Sequence, residues 1–109
     1  MSWDVSLKMK TGEHSSFYHD VRNVTYNNMN LFAAAGILTG LNEFNGKKAG
    51  DSIELLNLAH LYLENPANEP SLRKLEPPND WGGLEDAQDF IKIFLGACSE
   101  HPESTIVID

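Results

Sequence analysis

Trp3, Val5, Leu7 and Met9 are apolar, and Asp4, Ser6, Lys8 and Lys10 between them are polar. A period of two puts the apolar set on one side of an extended chain, so the pattern predicts a strand with one buried face. Thr11 to Ser15 is rich in turn formers, and Phe17 to Tyr26 then supplies Phe, Tyr, Val and Thr, residues that suit a pleated surface. The two segments together predict an antiparallel hairpin.

Three helical patterns follow. Asn28 or Asn30 stands where it can cap a short helix through Leu31, Phe32, Ala33, Ala34 and Ala35, which Gly36 stops. Thr39 to Gly50 reads as loop. Asp51 or Ser52 is then expected to cap a second helix, in which Ile53, Leu55, Leu56, Leu58, Ala59, Leu61, Tyr62 and Leu63 leave little polar surface. A helix apolar almost all round is expected to be buried. Asn65 and Pro66 end it, and the proline-rich stretch to Asp80 allows one helical turn around Ser71 to Leu75 but no central strand.

The third helix is predicted from Leu84 to about Glu100, because Leu84, Ala87, Ile91, Phe94, Leu95 and Cys98 share one stripe. Glu85, Asp86, Gln88, Asp89 and Lys92 are expected to face water. Pro102 closes the segment, and Thr105 to Ile108 form a strongly β-prone last strand. The order β-β-α-α-α-β predicts an α+β fold in one domain spanning 1–109. Its sheet has about three antiparallel strands, two N-terminal and one C-terminal, with the last beside the first and two or three helices packed on one face.

Composition narrows the function classes. With 41% hydrophobic residues, a chain of 109 is expected to build one core. Met1 to Lys10 has no apolar run of signal-peptide type, and no segment approaches the ~20 apolar residues of a membrane helix, so a cytoplasmic protein is expected. The single Cys98 falls on the apolar stripe and reads as core. His14, His19, His60 and His101 lack the short pair spacings of zinc sites, and no metal or other cofactor is expected.

Sixteen acidic against eight basic residues give a net charge of −8, which repels phosphate backbones and anionic membranes. Neither nucleic acid nor membrane is expected as a partner. The acids are dispersed, as solubility requires; a sharper reading is an acidic face that docks on a basic protein surface.

Catalytic motifs are missing from the sequence: it has no phosphate-binding glycine loop, no G-x-S-x-G elbow and no H-E-x-x-H. His14 and His19 lie near Ser15, Ser16 and Asp20, but neighbours along one strand seldom converge on a reacting atom, and no enzyme is expected. The N-x-T triplet at Asn23 is discounted as a glycosylation acceptor for want of a secretory signal.

Two polar-aromatic clusters at element ends are better candidates. One is Asn23-Val24-Thr25-Tyr26-Asn27-Asn28, and the other is Pro77-Pro78-Asn79-Asp80-Trp81-Gly82-Gly83. Asn and Thr offer directional donors and acceptors without net charge, and Tyr and Trp add flat apolar area with a polar tip. Asn23, Thr25, Tyr26, Asn27, Asn79 and Trp81 are therefore the expected ligand-binding residues. The competing reading of each is structural: asparagines cap and turn, the glycines let the backbone turn, and Trp81 staples the third helix to the core.

The segment Asn79-Asp80-Trp81-Gly82-Gly83-Leu84-Glu85, with Ala87, Phe90 and Ala97-Cys98-Ser99-Glu100-His101-Pro102-Glu103 before the final Ile/Val strand, resembles a family of small bacteriophage-encoded proteins. Those carry an N-G-W-G motif followed by such a helix. The likeness extends upstream through Lys48-Ala49-Gly50-Asp51, the N-x-T-x-N motif at Asn23, Thr25 and Asn27, and Trp3. Asp80 stands where the family has glycine.

The resemblance implies a phage or prophage origin and no activity, and small phage accessory proteins are often counter-defence factors. The expectation is a non-enzymatic binding protein in the host bacterial cytosol that recognises a small polar ligand, such as a nucleotide-derived immune signal. For a phosphate-bearing ligand, only Arg22, Lys47, Lys48, Arg73 and Lys74 stand near enough to supply compensating charge. The alternative is an acidic inhibitor of a host defence protein, and a homo-oligomer is compatible with either.

Overall fold

A computed structural model describes residues 1–79 and 81–109, so Asp80 lies outside the described residues. The sheet is built on β1 (Ser2–Lys10), which pairs antiparallel with β2 (Ser16–Thr25) on one side and with β3 (Thr105–Ile108) on the other, giving the order β2-β1-β3. This is the α+β architecture expected from the sequence. The alternation of β1 holds for Trp3, Val5 and Leu7, which are buried while Asp4 and Lys8 are exposed, but Met9, the fourth residue of the predicted face, is only half-buried. Trp3 faces Val24 across the hairpin and Leu7 faces Ile106, so the apolar face of all three strands points one way.

The outer edge of β3 is occupied by the loop at 45–49. Gly46 N–H donates to Ile106 C=O (2.8 Å), Ile106 N–H to Lys47 C=O (2.8 Å), and Ile108 N–H to the Asn45 side chain (2.9 Å). On the other side, β2 carries a bulge. Val5 faces Arg22 but Ser6 faces Asp20, leaving Val21 as an extra residue. Arg22 therefore shares the face of Val5 and points toward the helices.

The helical layer contains α1 (Met29–Ala34), α2 (Ile53–Glu64), the short α3 (Glu69–Arg73) and α4 (Leu84–Glu100). The α4 stripe is the backbone of the core: Leu84, Ala87, Phe90, Ile91, Phe94 and Cys98 are buried, with Phe90 and Phe94 joining a chain of aromatic contacts to Phe32 and Phe44. Burial pushes the Cys98 thiol up to about 12, so it behaves as a small hydrophobe.

Several expectations are corrected. Asn28 stands at the N-cap position of α1 but makes no cap hydrogen bond, because its side chain turns into the interior. Ser52 precedes α2 without capping it; its hydroxyl bonds to Lys48 C=O, and a 3-10 turn at Ala49–Ser52 begins the helix instead. The single turn near Ser71 sits slightly earlier, at Glu69–Arg73, with Pro70 in its first turn. On α4, Asp86 and Gln88 are half-buried and bonded, not solvated.

The largest correction concerns α2. Only Leu56, Ala59 and Leu63 are buried, whereas Leu58 and Leu61 are each 57% exposed and Tyr62 38% exposed. The helix packs on α4 through one side alone, and its second apolar side faces out. Among the described residues, no helix is long and apolar enough to cross a membrane.

Candidate functional site

The end of β2 and the start of α4 are 55 or more residues apart in sequence, and one buried side chain ties them together. Asn28 Nδ2 donates to Asp86 Oδ2 (2.8 Å), and Asn28 Oδ1 accepts from Gly83 N–H (2.9 Å). Asp86 Oδ1 is in turn paired with Arg22 from the bulge of β2. The carboxylate is thus shared between a strand cation and a buried amide, which fixes α4 against the hairpin.

The loop before α4 is shaped by what it meets. Gly82 has φ +87°, and a Cβ there would lie 2.9 Å from Thr25 Cγ2 and closer still to Asn28 Oδ1. Only glycine fits that approach without strain. Glu76 then serves as a remote cap for α4, accepting from Leu84 N–H at 2.9 Å. Arg73 holds this arrangement by bonding Glu76, Glu69 and, through two parallel bonds of 2.7 and 2.8 Å, Glu85. The guanidinium holds the Glu85 carboxyl at about 2, well below its ordinary 4.5, and the same carboxylates raise Arg73.

Between the two anchored ends lies a cleft of about 550 Å³, and five of the six residues chosen from sequence line it: Asn23, Thr25, Asn27, Asn79 and Trp81. Trp81 is 72% exposed and staples nothing to the core. Asn79 Oδ1 accepts from Trp81 N–H (3.2 Å), which ties these two cleft residues to each other. Tyr26 is the residue the structure removes from the group. A 3-10 turn at Tyr26–Asn28 carries its ring inward onto Trp3, with ring centroids 4.4 Å apart.

The polar groups of the cleft keep capacity to bond. Asn23 spends its Nδ2 on Ser2 Oγ (2.8 Å) and Asp4 Oδ1 (2.7 Å), leaving its carbonyl oxygen. Asn79 Nδ2 has no partner among the described residues. The Asn27 side-chain amide has no protein partner among the described residues, and Thr25 Oγ1 accepts from Asn27 N–H (3.2 Å) while its proton remains to donate. Among the described lining residues there is no lysine or arginine, and Asp86 is the one carboxylate.

None of the five candidate phosphate-compensating cations lines the cleft; three are paired, Arg22 with Asp86 at its margin, Lys48 with Glu103 and Arg73 with its three glutamates. The histidine grouping does not converge. His14 is exposed at the hairpin tip, His19 lies against His101 (centroids 5.3 Å), and Asp20 pairs with Ser6 on the open face of the sheet. Among the described residues, no group of three or more His, Cys, Asp or Glu is placed to hold a metal ion.

A cleft of about 570 Å³ between the β1 arm and residues 100–105 contains none of the residues chosen from sequence. Lys8 and Lys10 line it opposite Glu100 and Glu103.

Sequence reasoning missed Asn28, Asp86 and Arg22 as the frame of the site. No local signal marks them, because each earns its place through a partner far along the chain. Comparison of the chain with family models, curated proteins and solved structures finds no match.

Proposed function

We propose that this chain is a non-enzymatic binding protein whose ligand is a small polar molecule held in the cleft between the end of β2 and the loop before α4. The observation that carries the reading is the meeting of Asn23, Thr25, Asn27, Asn79 and exposed Trp81 around one cavity with unspent donors and acceptors. An indole left open to water beside oriented amides is suited to recognition and contributes nothing to the core. For a nucleotide-derived ligand the base and ribose would carry most of the contacts, since the described lining offers no lysine or arginine side chain to a phosphate. The likeness to phage proteins would make the chain an accessory, of counter-defence type, that sequesters a molecule in the host cytosol. Calorimetry against a panel of nucleosides, nucleotides, sugars and amino acids is expected to give binding that Trp81→Ala abolishes; a flat response across the panel would overturn the proposal.

A second reading is favoured by α2. Leu58, Leu61 and Tyr62 form an open apolar stripe between Glu54 and Glu64 on a chain of net charge −8. Such a stripe suits a basic, apolar surface of a host protein, with charge speeding association. Under this reading Leu58→Ser leaves the fold intact and weakens an inhibitory activity, and rising salt slows association. An activity indifferent to both would remove it.

A further inference from the structure

The cleft's chemistry specifies its ligand more narrowly, on the assumption that it is a binding site as proposed above. We infer that it takes a neutral polyhydroxylated ring, a pyranose. Three observations converge on that class.

The first is charge. Among the described residues the lining holds no lysine or arginine, and its one carboxylate, Asp86, is shared between Arg22 and Asn28. A phosphate or carboxylate ligand would meet no lysine or arginine side chain there, and the net charge of −8 would oppose it at longer range.

The second is the balance of donors and acceptors. A sugar hydroxyl both donates and accepts, and neighbouring hydroxyls on a ring lie side by side. The groups left unspent have the same dual character: the whole amide of Asn27, the Nδ2 of Asn79, the carbonyl oxygen of Asn23 and the hydroxyl proton of Thr25. A planar amide presents one donor and one acceptor at the spacing of a vicinal diol. The site thus matches a rim of hydroxyls better than the fixed pattern of a single heterocycle.

The third is the number of apolar walls. Trp81 is the one aromatic residue of the described lining, because Tyr26 is turned inward onto Trp3. A flat base is best buried between two walls, whereas a pyranose has one C–H face to lay on an indole and an edge of hydroxyls to turn toward polar groups.

The test is a two-dimensional amide NMR titration of the full chain. The probes are methyl α- and β-glucopyranoside, methyl galactopyranoside, methyl mannopyranoside and N-acetylglucosamine. Adenosine, guanosine, uridine and their 5′-monophosphates form the second arm. At least one pyranoside is expected to shift the Trp81 indole N–H and the Asn27 and Asn79 side-chain signals saturably, with a dissociation constant of about 1 mM, typical of so small a ligand. Trp81→Ala and Asn27→Ala are each expected to weaken it at least tenfold while the rest of the spectrum stays dispersed. Shifts of these signals by nucleosides with none from sugars would overturn the pyranose assignment and leave the binding reading standing. A monophosphate that binds more tightly than its nucleoside and every sugar would also overturn it. Silence from every probe in the folded protein would overturn the pyranose assignment, and silence from added amino acids as well would overturn the binding reading.

Discussion

Asn28 is the residue whose removal most directly tests how the site is held together. It is fully buried and makes two bonds, donating to Asp86 at 2.8 Å and accepting from Gly83 N–H at 2.9 Å. Asn28→Ala leaves the buried Gly83 N–H without a partner, a loss of about 1–3 kcal/mol. Asp86 keeps Arg22 on its other oxygen, so losing the amide there adds about 1 kcal/mol. The expected total is about 2–4 kcal/mol. With a urea dependence of about 1–3 kcal/mol per molar, the midpoint followed by circular dichroism should fall by about 0.7–4 M.

Asn28→Asp separates the two bonds. It keeps the shape and the acceptor for Gly83 but sets a second carboxylate beside Asp86, so like charges repel at neutral pH. Its deficit relative to the parent should shrink as pH falls and the pair takes up a proton. A midpoint for Asn28→Ala within about 0.2 M of the parent, comparable with the ordinary scatter of surface changes, would show that this bridge does not hold the two clusters together.

Other consequences can be checked separately. Gly82→Ala places a methyl against Thr25 and Asn28 at positive φ and should cost about 1–3 kcal/mol in thermal or urea unfolding. Glu85 should titrate by carbon NMR near 2 in the parent and return toward 4.5 in Arg73→Ala. Because its folded value is depressed, the stability it contributes is present above about 4.5 and is lost as pH falls through about 2. Cys98 should resist a disulfide-exchange reagent at pH 8 in the native protein and react at once in urea, since burial pushes its thiol up to about 12.

The parts legible in the sequence are those where local pattern and packing agree. The alternation of Trp3, Val5 and Leu7 and the stripe from Leu84 to Cys98 each have a polar counterpart that marks the outward side, and both apolar faces fell where expected. In α2 that marker is missing. Leucines occupy both sides, so the sequence alone does not tell Leu56 and Leu63, which are buried, from Leu58 and Leu61, which are not.

Asn28 shows a different limit. The same side chain suits a helix cap or a buried bridge, and the choice rests on Asp86, 58 positions away. The two clusters could be picked out because amides and aromatics at element ends are uncommon in a core. Their meeting depended on that bridge, and the exclusion of Tyr26 depended on Trp3, 23 positions upstream.

The central claim is that exposed Trp81 and the amides around it form a binding surface and not a piece of the scaffold. Trp81→Ala, measured for unfolding and for ligand binding on the same preparation, tests it most directly. Unfolding should stay within about 0.5 kcal/mol of the parent, as befits a side chain 72% exposed, while the binding seen in the parent disappears. A loss of several kcal/mol in stability, or binding that survives in the folded variant, would contradict the account.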